Sequence, residues 1–268
     1  QKKKASITAS ADIVSLILDH FVCFLDQLKD FILCSIGISV VSREQKRGFI
    51  SILQMAVTKR YRVQTELHDS DELLLCFMAD THMLTGRTGG FFGKENFGLI
   101  VLEHGEIQKE YGSYLKKLRH FRVDSGNAVK CYCGKYGCVD TVLCYSGLQK
   151  RYASYSALER ENVSDVAIVN NLYLKAHSGD RHAQRVVQEH GAMLGRIAVK
   201  IARDLKLDQI VLMHTKVESM RSACDIYSTQ CGKNDALFLC SNFTESENSF
   251  APALLMRRRL LECQEQLT

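Results

Sequence analysis

The chain holds a single proline, Pro252, and no tryptophan in 268 residues. Its turns must then be made by Gly, Asn, Asp and Ser, which reverse a backbone without proline's fixed φ. Long hydrophobic runs are missing as well. Asp19, His20, Asp26 and Lys29 interrupt the most apolar stretch, so nothing approaches the roughly 20 apolar residues of a membrane span. That stretch reads as a core helix, and no membrane insertion is expected. A strong charge of one sign is lacking too: the net charge is +5. The basic runs Lys2, Lys3, Lys4 and Arg257, Arg258, Arg259 read as solvated surface rather than nucleic-acid contacts. There is no recognisable helix-turn-helix, so direct DNA binding by these residues is not predicted. The chain opens Gln-Lys-Lys-Lys without Met or a clean signal peptide, as expected of a piece of a longer chain or a processed end.

Hydrophobic residues at 46% and charged residues at 24% describe a globular protein with a large core, and the length suits two domains. The cysteine count, 11, is odd and the chain is long, which argues against a secreted disulfide framework and for a reducing cytoplasm. Cys23, Cys34, Cys76, Cys144, Cys224, Cys231, Cys240 and Cys263 are accordingly expected as small buried apolar groups.

Apolar spacing predicts a helix over residues 11–28 and a buried strand over 31–41. A loop follows over 42–48, then a helix from 49 to 57 ending near Lys59, a strand over 62–67 and a helix over 70–84 capped by Ser70 or Asp71. Glycine-rich residues 86–93 read as a turn. Residues 97–102 and 106–110 read as a hairpin reversing at Gly105. The clearest helix spans 179–205, where Val186, Val187, Met193, Leu194, Ile197, Ala198, Ile201 and Ala202 form one stripe. Asp208 introduces a strand over 209–213, and Pro252 opens a final helix to about residue 266. Alternating strands and helices make the class α/β.

The strongest chemical signal is Cys131-Tyr132-Cys133-Gly134-Lys135-Tyr136-Gly137-Cys138, with His120 upstream. Thiols this close converge on a point only if the backbone turns sharply, which Gly134 and Gly137 permit. Zinc favours four N or S ligands in a tetrahedron, so one His and three Cys complete a closed structural site with no position for water. Such a site binds and does not catalyse. A chance cluster of core cysteines is the competing reading, and His104 and His68 are alternatives to His120 as fourth ligand.

At these residues the chain resembles the ROK family (repressors, open reading frames, kinases), whose zinc segment runs His, spacer, Cys-x-Cys-Gly-x-x-Gly-Cys, an apolar residue, an acid and often Thr. Here Val139, Asp140 and Thr141 follow Cys138, and the Cys-Tyr-Cys-Gly form looks most like the glucose and N-acetylglucosamine repressors. The resemblance extends to Ser178-Gly179-Asp180, to residues 191–205 and 208–213, and to Cys34-Ser-Ile-Gly-Ile-Ser-Val40. It implies an actin-like, ribonuclease-H-like fold of two α/β domains, with a sugar or effector in the cleft between them. The expected division is 1–66 plus 250–268, an N-terminal-type domain, against 67–249, the zinc domain with effector and oligomerisation surfaces. The family's Asn-Asp pair, whose Asp is the catalytic base of its kinases, corresponds to His68-Asp69. Effector contacts implied by the resemblance are His68, Asp69, His120 and Asp140.

The sequence also departs from the family. Where sugar-binding members carry Gly-Glu-x-Gly-His, this chain has Lys116-Lys117-Leu118-Arg119-His120, and Lys117 can only donate where Glu accepts. The early Asp-x-Gly-x-Thr phosphate motif is absent. The second glycine-rich turn is reduced to Asn96-Phe97-Gly98-Leu99-Ile100, and His214-Thr215-Lys216 replaces the third. The expected function is therefore the effector-binding and oligomerising part of a sugar-responsive transcriptional regulator. It would respond to a small sugar or sugar phosphate, work as a homo-oligomer, and meet DNA only through a winged helix outside this chain. The alternatives are a sugar kinase with Asp69 as base and ATP and Mg2+ as cofactors, or a degenerate member that binds nothing.

Overall fold

A computed structural model describes residues 14–19, 35–40, 47–81, 84–124, 130–155, 165–232 and 236–241. The chain divides into two compact units, Gln1–Phe77 with Glu245–Thr268 and Met78–Thr244. The helix expected from Pro252, residues 42–46 of the loop expected at 42–48 and most of the first expected helix lie outside the described residues, and residues 47–48 of that loop are instead helical.

In the first unit, residues 14–19 are helical (α1). Strand β1 (Ser35–Val40), helix α2 (Arg47–Tyr61) and strand β2 (Gln64–Asp69) follow. The strands pair in parallel from Ser35↔Gln64 to Val40↔Asp69, the geometry that a crossover helix makes possible. Val14, Leu18, Ile36 and Val57 form the core, with Phe49, Ile52 and Leu53 packed against it. Tyr61 Oη donates to Leu18 O at 3.3 Å, tying α2 to α1. Helix α3 (Ser70–Asp80) begins directly after β2. At its start Asp69 Oδ1 takes the Asp71 N–H at 2.9 Å. The helix ends four residues earlier than the expected 84.

The second unit is built on a five-stranded sheet of order β5-β4-β3-β6-β7: β3 (Thr88–Gly93), β4 (Phe97–Glu103), β5 (Glu106–Gln108), β6 (Gln209–Met213) and β7 (Leu237–Ser241). The hairpin β4–β5 is antiparallel as expected. Residues 88–93, expected as part of a turn, are instead the central strand, antiparallel to β4 and parallel to β6. Its glycines answer to close approach. A Cβ on Gly89 would lie 2.5 Å from Leu207 Cδ1, and one on Gly93 would lie 2.0 Å from Leu143 O. Glycine inside a strand commonly marks a neighbour pressed onto the backbone.

Among the described residues, six helices complete this unit: α4 (Gly112–Arg119), α5 (Val139–Val142), α6 (Tyr145–Tyr155), α7 (Asp165–His177), α8 (Arg181–Leu205) and α9 (Val217–Gln230). Helix α8 starts where Asp180 Oδ1 accepts the Ala183 N–H at 2.9 Å and stops at Lys206, whose φ of 50° is left-handed. Its apolar stripe enters a core with Phe91, Phe97, Val101, Leu118, Ile210 and Leu212. A second core joins α6, α7 and the start of α8 through Leu148, Tyr152, Leu172, Val186 and Val187. Cys76 and Cys144 are interior, as expected. Cys224 is exposed and Cys231 and Cys240 are half-buried, so these three are not the interior groups anticipated. Among the described residues, no helix is long and apolar enough to cross a membrane.

Candidate metal centre

The site begins at the end of α4. Leu118 is buried and anchors the helix, which closes with His120 N donating to Lys117 O at 3.1 Å. Its imidazole Nδ1 lies 3.4 Å from Cys131 Sγ. The cysteine segment then folds into a tight turn: Gly134 N donates to Cys131 O at 2.9 Å and Cys131 N to Lys135 O at 2.8 Å. Gly137 is the indispensable glycine. Its φ is +74°, and a Cβ there would sit 1.5 Å from Asp124 O, a position no other residue can take. Cys138 follows, fully buried, and its carbonyl accepts the N–H groups of Thr141 and Val142 at the start of α5.

His120, Cys131, Cys133 and Cys138 thus bring their ligand atoms within 4.8 Å of one another. A tetrahedral ion with bonds of about 2.3 Å to sulfur and 2.0–2.1 Å to nitrogen sets two sulfurs about 3.8 Å apart and a nitrogen and a sulfur about 3.6 Å apart. The Cys133–Cys138 separation of 3.6 Å and the His120–Cys131 separation of 3.4 Å match those edges to a few tenths of an ångström. Burial, then the neighbouring Cys133 and Cys131, push the metal-free Cys138 thiol up to about 12. A backbone hydrogen bond from Lys135 leads the influences that lower Cys133. The quartet therefore suits a thiophilic cation that takes over the work of deprotonation.

Asp140, read as an effector contact, is tied into the fold on one oxygen: Oδ1 accepts the Phe97 N–H at 3.0 Å, with Arg119 Nε 3.9 Å away. Arg119 also donates to Phe97 O at 2.9 Å. The pair locks α4, β4 and α5 around the metal loop. Sequence reasoning noted Arg119 only as a departure from a family pattern and missed this role. It also missed Tyr132, whose exposed ring stands edge-on to His120 at 4.6 Å. Lys117 is exposed on the last turn of α4. His68 and Asp69 belong to the first unit, at the end of β2.

A buried polar network lies in the same unit as the metal loop. Leu143 O can only accept, so His190 Nε2 is the donor of their 3.2 Å contact. In a neutral ring Nδ1 then carries no proton and lies 3.3 Å from Ser219 Oγ, which donates to Val187 O at 3.1 Å. Tyr173 Oη is 2.9 Å from the same hydroxyl. Burial, with the Arg151 charge adding, lowers His190 to about 4, and the Leu143 bond opposes the shift. The unfolded imidazole titrates near 6.5. Between about pH 6.5 and 4 the unfolded chain therefore binds a proton that the folded chain does not, and stability falls as pH falls. The expected loss from this group is about 2 kcal/mol at pH 5. Urea titrations at pH 7 and pH 5 should show His190→Asn weaker at pH 7 but flatter across the interval; an unchanged slope would remove His190 as the cause.

The sequence model of the ROK family matches residues 97–226, a span that contains all four candidate ligands, α8 and β6. Over that span the chain is similar to the ROK family, and its α/β fold is the actin-like fold of the family's solved members. Among solved structures it is similar to a ROK family transcriptional regulator, a homologue of the Escherichia coli MLC protein, with 17% identity, a TM-score of 0.70 and coverage of 93% of this chain and 68% of that one. It is also similar to the ROK hexokinase of Thermus thermophilus, with 13% identity, a TM-score of 0.56 and coverage of 75% and 68%. A third is a ROK family protein of Streptococcus pneumoniae TIGR4 solved with sucrose, at 10% identity, a TM-score of 0.65 and coverage of 91% and 88%. At these identities the likeness is one of fold. Comparison of the sequence with curated proteins gives no match.

Proposed function

We propose that the chain is the effector-binding and oligomerising part of a sugar-responsive ROK-type transcriptional regulator, with a structural zinc ion on His120, Cys131, Cys133 and Cys138. The observation that carries the choice of regulator over kinase is the crowding at the end of β6. A kinase must cradle nucleotide phosphates on glycine backbone N–H groups there. His214, Thr215 and Lys216 instead line a cavity of about 30 Å³ with Gly93, Tyr145 and Asn170, room for a water molecule or two. The reading also draws on the transcriptional regulator among the similar folds. In it the protein is cytoplasmic, homo-oligomeric, and meets DNA through a domain outside this chain.

The sugar-kinase alternative draws on Asp69, which opens α3, and on His214, whose φ of 55° keeps the backbone conformation of a glycine. One experiment separates the two. The protein is mixed with hexoses, amino sugars, ATP and magnesium, and both heat of binding and ADP release are followed. The regulator reading expects saturable sugar binding without turnover. ATP-dependent turnover that disappears in Asp69→Asn would establish the kinase, and absence of any binding would leave the degenerate member. Single substitutions of His68, Asp69 and Asp140 then show which of them weakens sugar binding.

A further inference from the structure

Cys224 on α9 and Cys240 on β7 hold their sulfurs 3.6 Å apart. The approach is built in by a second contact between the same two faces. One turn further along α9, Tyr227 stacks on Phe238 with centroids 4.7 Å apart, and Phe238 lies two residues before Cys240, on the same side of the strand. Tyr227 Oη also donates to Ala236 O at 2.7 Å. Strand β7 is in turn fixed by its parallel pairing with β6, which sets Cys240 beside Leu212. The helix and strand that carry the thiols are therefore held in register by other groups. A disulfide needs the sulfurs to close by only about 1.6 Å. Cys224 is exposed and Cys240 half-buried, so a small molecule in solution reaches the first of them directly.

We propose that Cys224 and Cys240 are a reversible dithiol–disulfide site that exchanges with small-molecule disulfides of the glutathione type. The Cys224 thiolate attacks one sulfur of the oxidised tripeptide, its S–S bond breaks, and one glutathione leaves as a thiolate that takes up a proton. Cys240 then gives up its proton and attacks the Cys224 sulfur of the mixed disulfide, releasing the second glutathione. The two protein thiols lose two electrons and two protons in total, and one glutathione disulfide becomes two glutathione thiols. Burial, with Cys224 beside it, pushes the Cys240 thiol up to about 12. The second step is consequently slow at neutral pH and quickens as pH rises. The new bond staples α9 to the edge strand of the sheet.

The test equilibrates the full chain with mixtures of reduced and oxidised glutathione at pH 8, quenches with acid, alkylates, and maps tryptic peptides by mass spectrometry. Cys224 and Cys231 share the peptide 222–233, and Cys240 falls in 234–257, so the link is assigned with variants. It should persist in Cys231→Ser and vanish in Cys224→Ser. The equilibrium constant for closing the pair should be roughly tenfold or more larger in the folded chain than in urea, because the unfolded chain must first close the loop. That comparison needs no substitution and decides the matter even if a variant folds poorly. A glutathione adduct that stays on Cys224 without a link to Cys240, a link through Cys231, or equal closure in urea would overturn the proposal.

Discussion

Cys138→Ser is expected to abolish stoichiometric metal binding and to lower the melting temperature by about 10 °C or more. The size follows from where the residue sits. Its side chain is fully buried, with Sγ 3.6 Å from Cys133 Sγ, and its backbone starts α5, the helix that carries Asp140. Serine keeps the backbone conformation but replaces a soft ligand by a hydroxyl that zinc takes up poorly from a buried position. Three ligands then remain, one of them on exposed Cys133, and the free energy of metal binding no longer adds to that of folding. Since 1 kcal/mol shifts melting by about 2–4 °C in a unit of this size, the loss of even a few kcal/mol is measurable. Elemental analysis and thermal melts with and without chelator check it. Chelator should lower the wild-type midpoint to near that of the variant and leave the variant unmoved; equal metal content in the two proteins would refute the site.

That centre was legible in the sequence because its geometry is local. Cys131, Cys133 and Cys138 lie in one turn, and the glycines between them have the left-handed φ values that the turn demands. Helix α8 and strand β6 were legible for a different reason: the helix buries a continuous apolar stripe, and Asp208 breaks the chain before β6 by accepting the Arg87 N–H at 2.7 Å. What escaped is what distant parts of the chain impose. Gly89 and Gly93 look like turn residues until Leu207 and Leu143 are seen against them. Helix α9 escaped because its buried face is made of Ser219, Met220, Ala223 and Tyr227, a stripe too small and too polar to register as amphipathic. Strand β7, too, gains its place from groups distant in sequence, by pairing with β6 and packing against Tyr227. The tie from Asp140 and Arg119 to Phe97 was invisible for the same reason, since it joins three elements far apart in sequence.

The small residues of α9 have a counterpart on α8, and there the second large effect is expected. A Cβ on Gly191 would lie 2.3 Å from Ser219 O and 2.8 Å from Ser222 Cβ. One on Gly195 would lie 2.6 Å from Ala223 O. The helices pack through these glycines with backbone against backbone, and the nearest obstacle to a larger residue is a carbonyl that moves only if α9 moves. Gly191→Ala gains about 1 kcal/mol of helix propensity and is set against overpacking that costs roughly 1–3 kcal/mol, and more where backbone must shift. Backbone contact decides the sign, so a net loss of about 2 kcal/mol is expected, with Gly191→Val worse. A Cβ on Gly112, in the first turn of α4, would meet nothing within 4 Å, so Gly112→Ala is the control in which propensity acts alone and stability holds or rises. Displacing Ser219 also pulls at the hydroxyl shared by His190 and Tyr173, which couples the helix seam to the buried histidine. Urea midpoints at pH 7 should therefore show Gly191→Ala weaker than the parent. Equal stability of the two alanine variants would mean that α8 and α9 lie further apart than these contacts require.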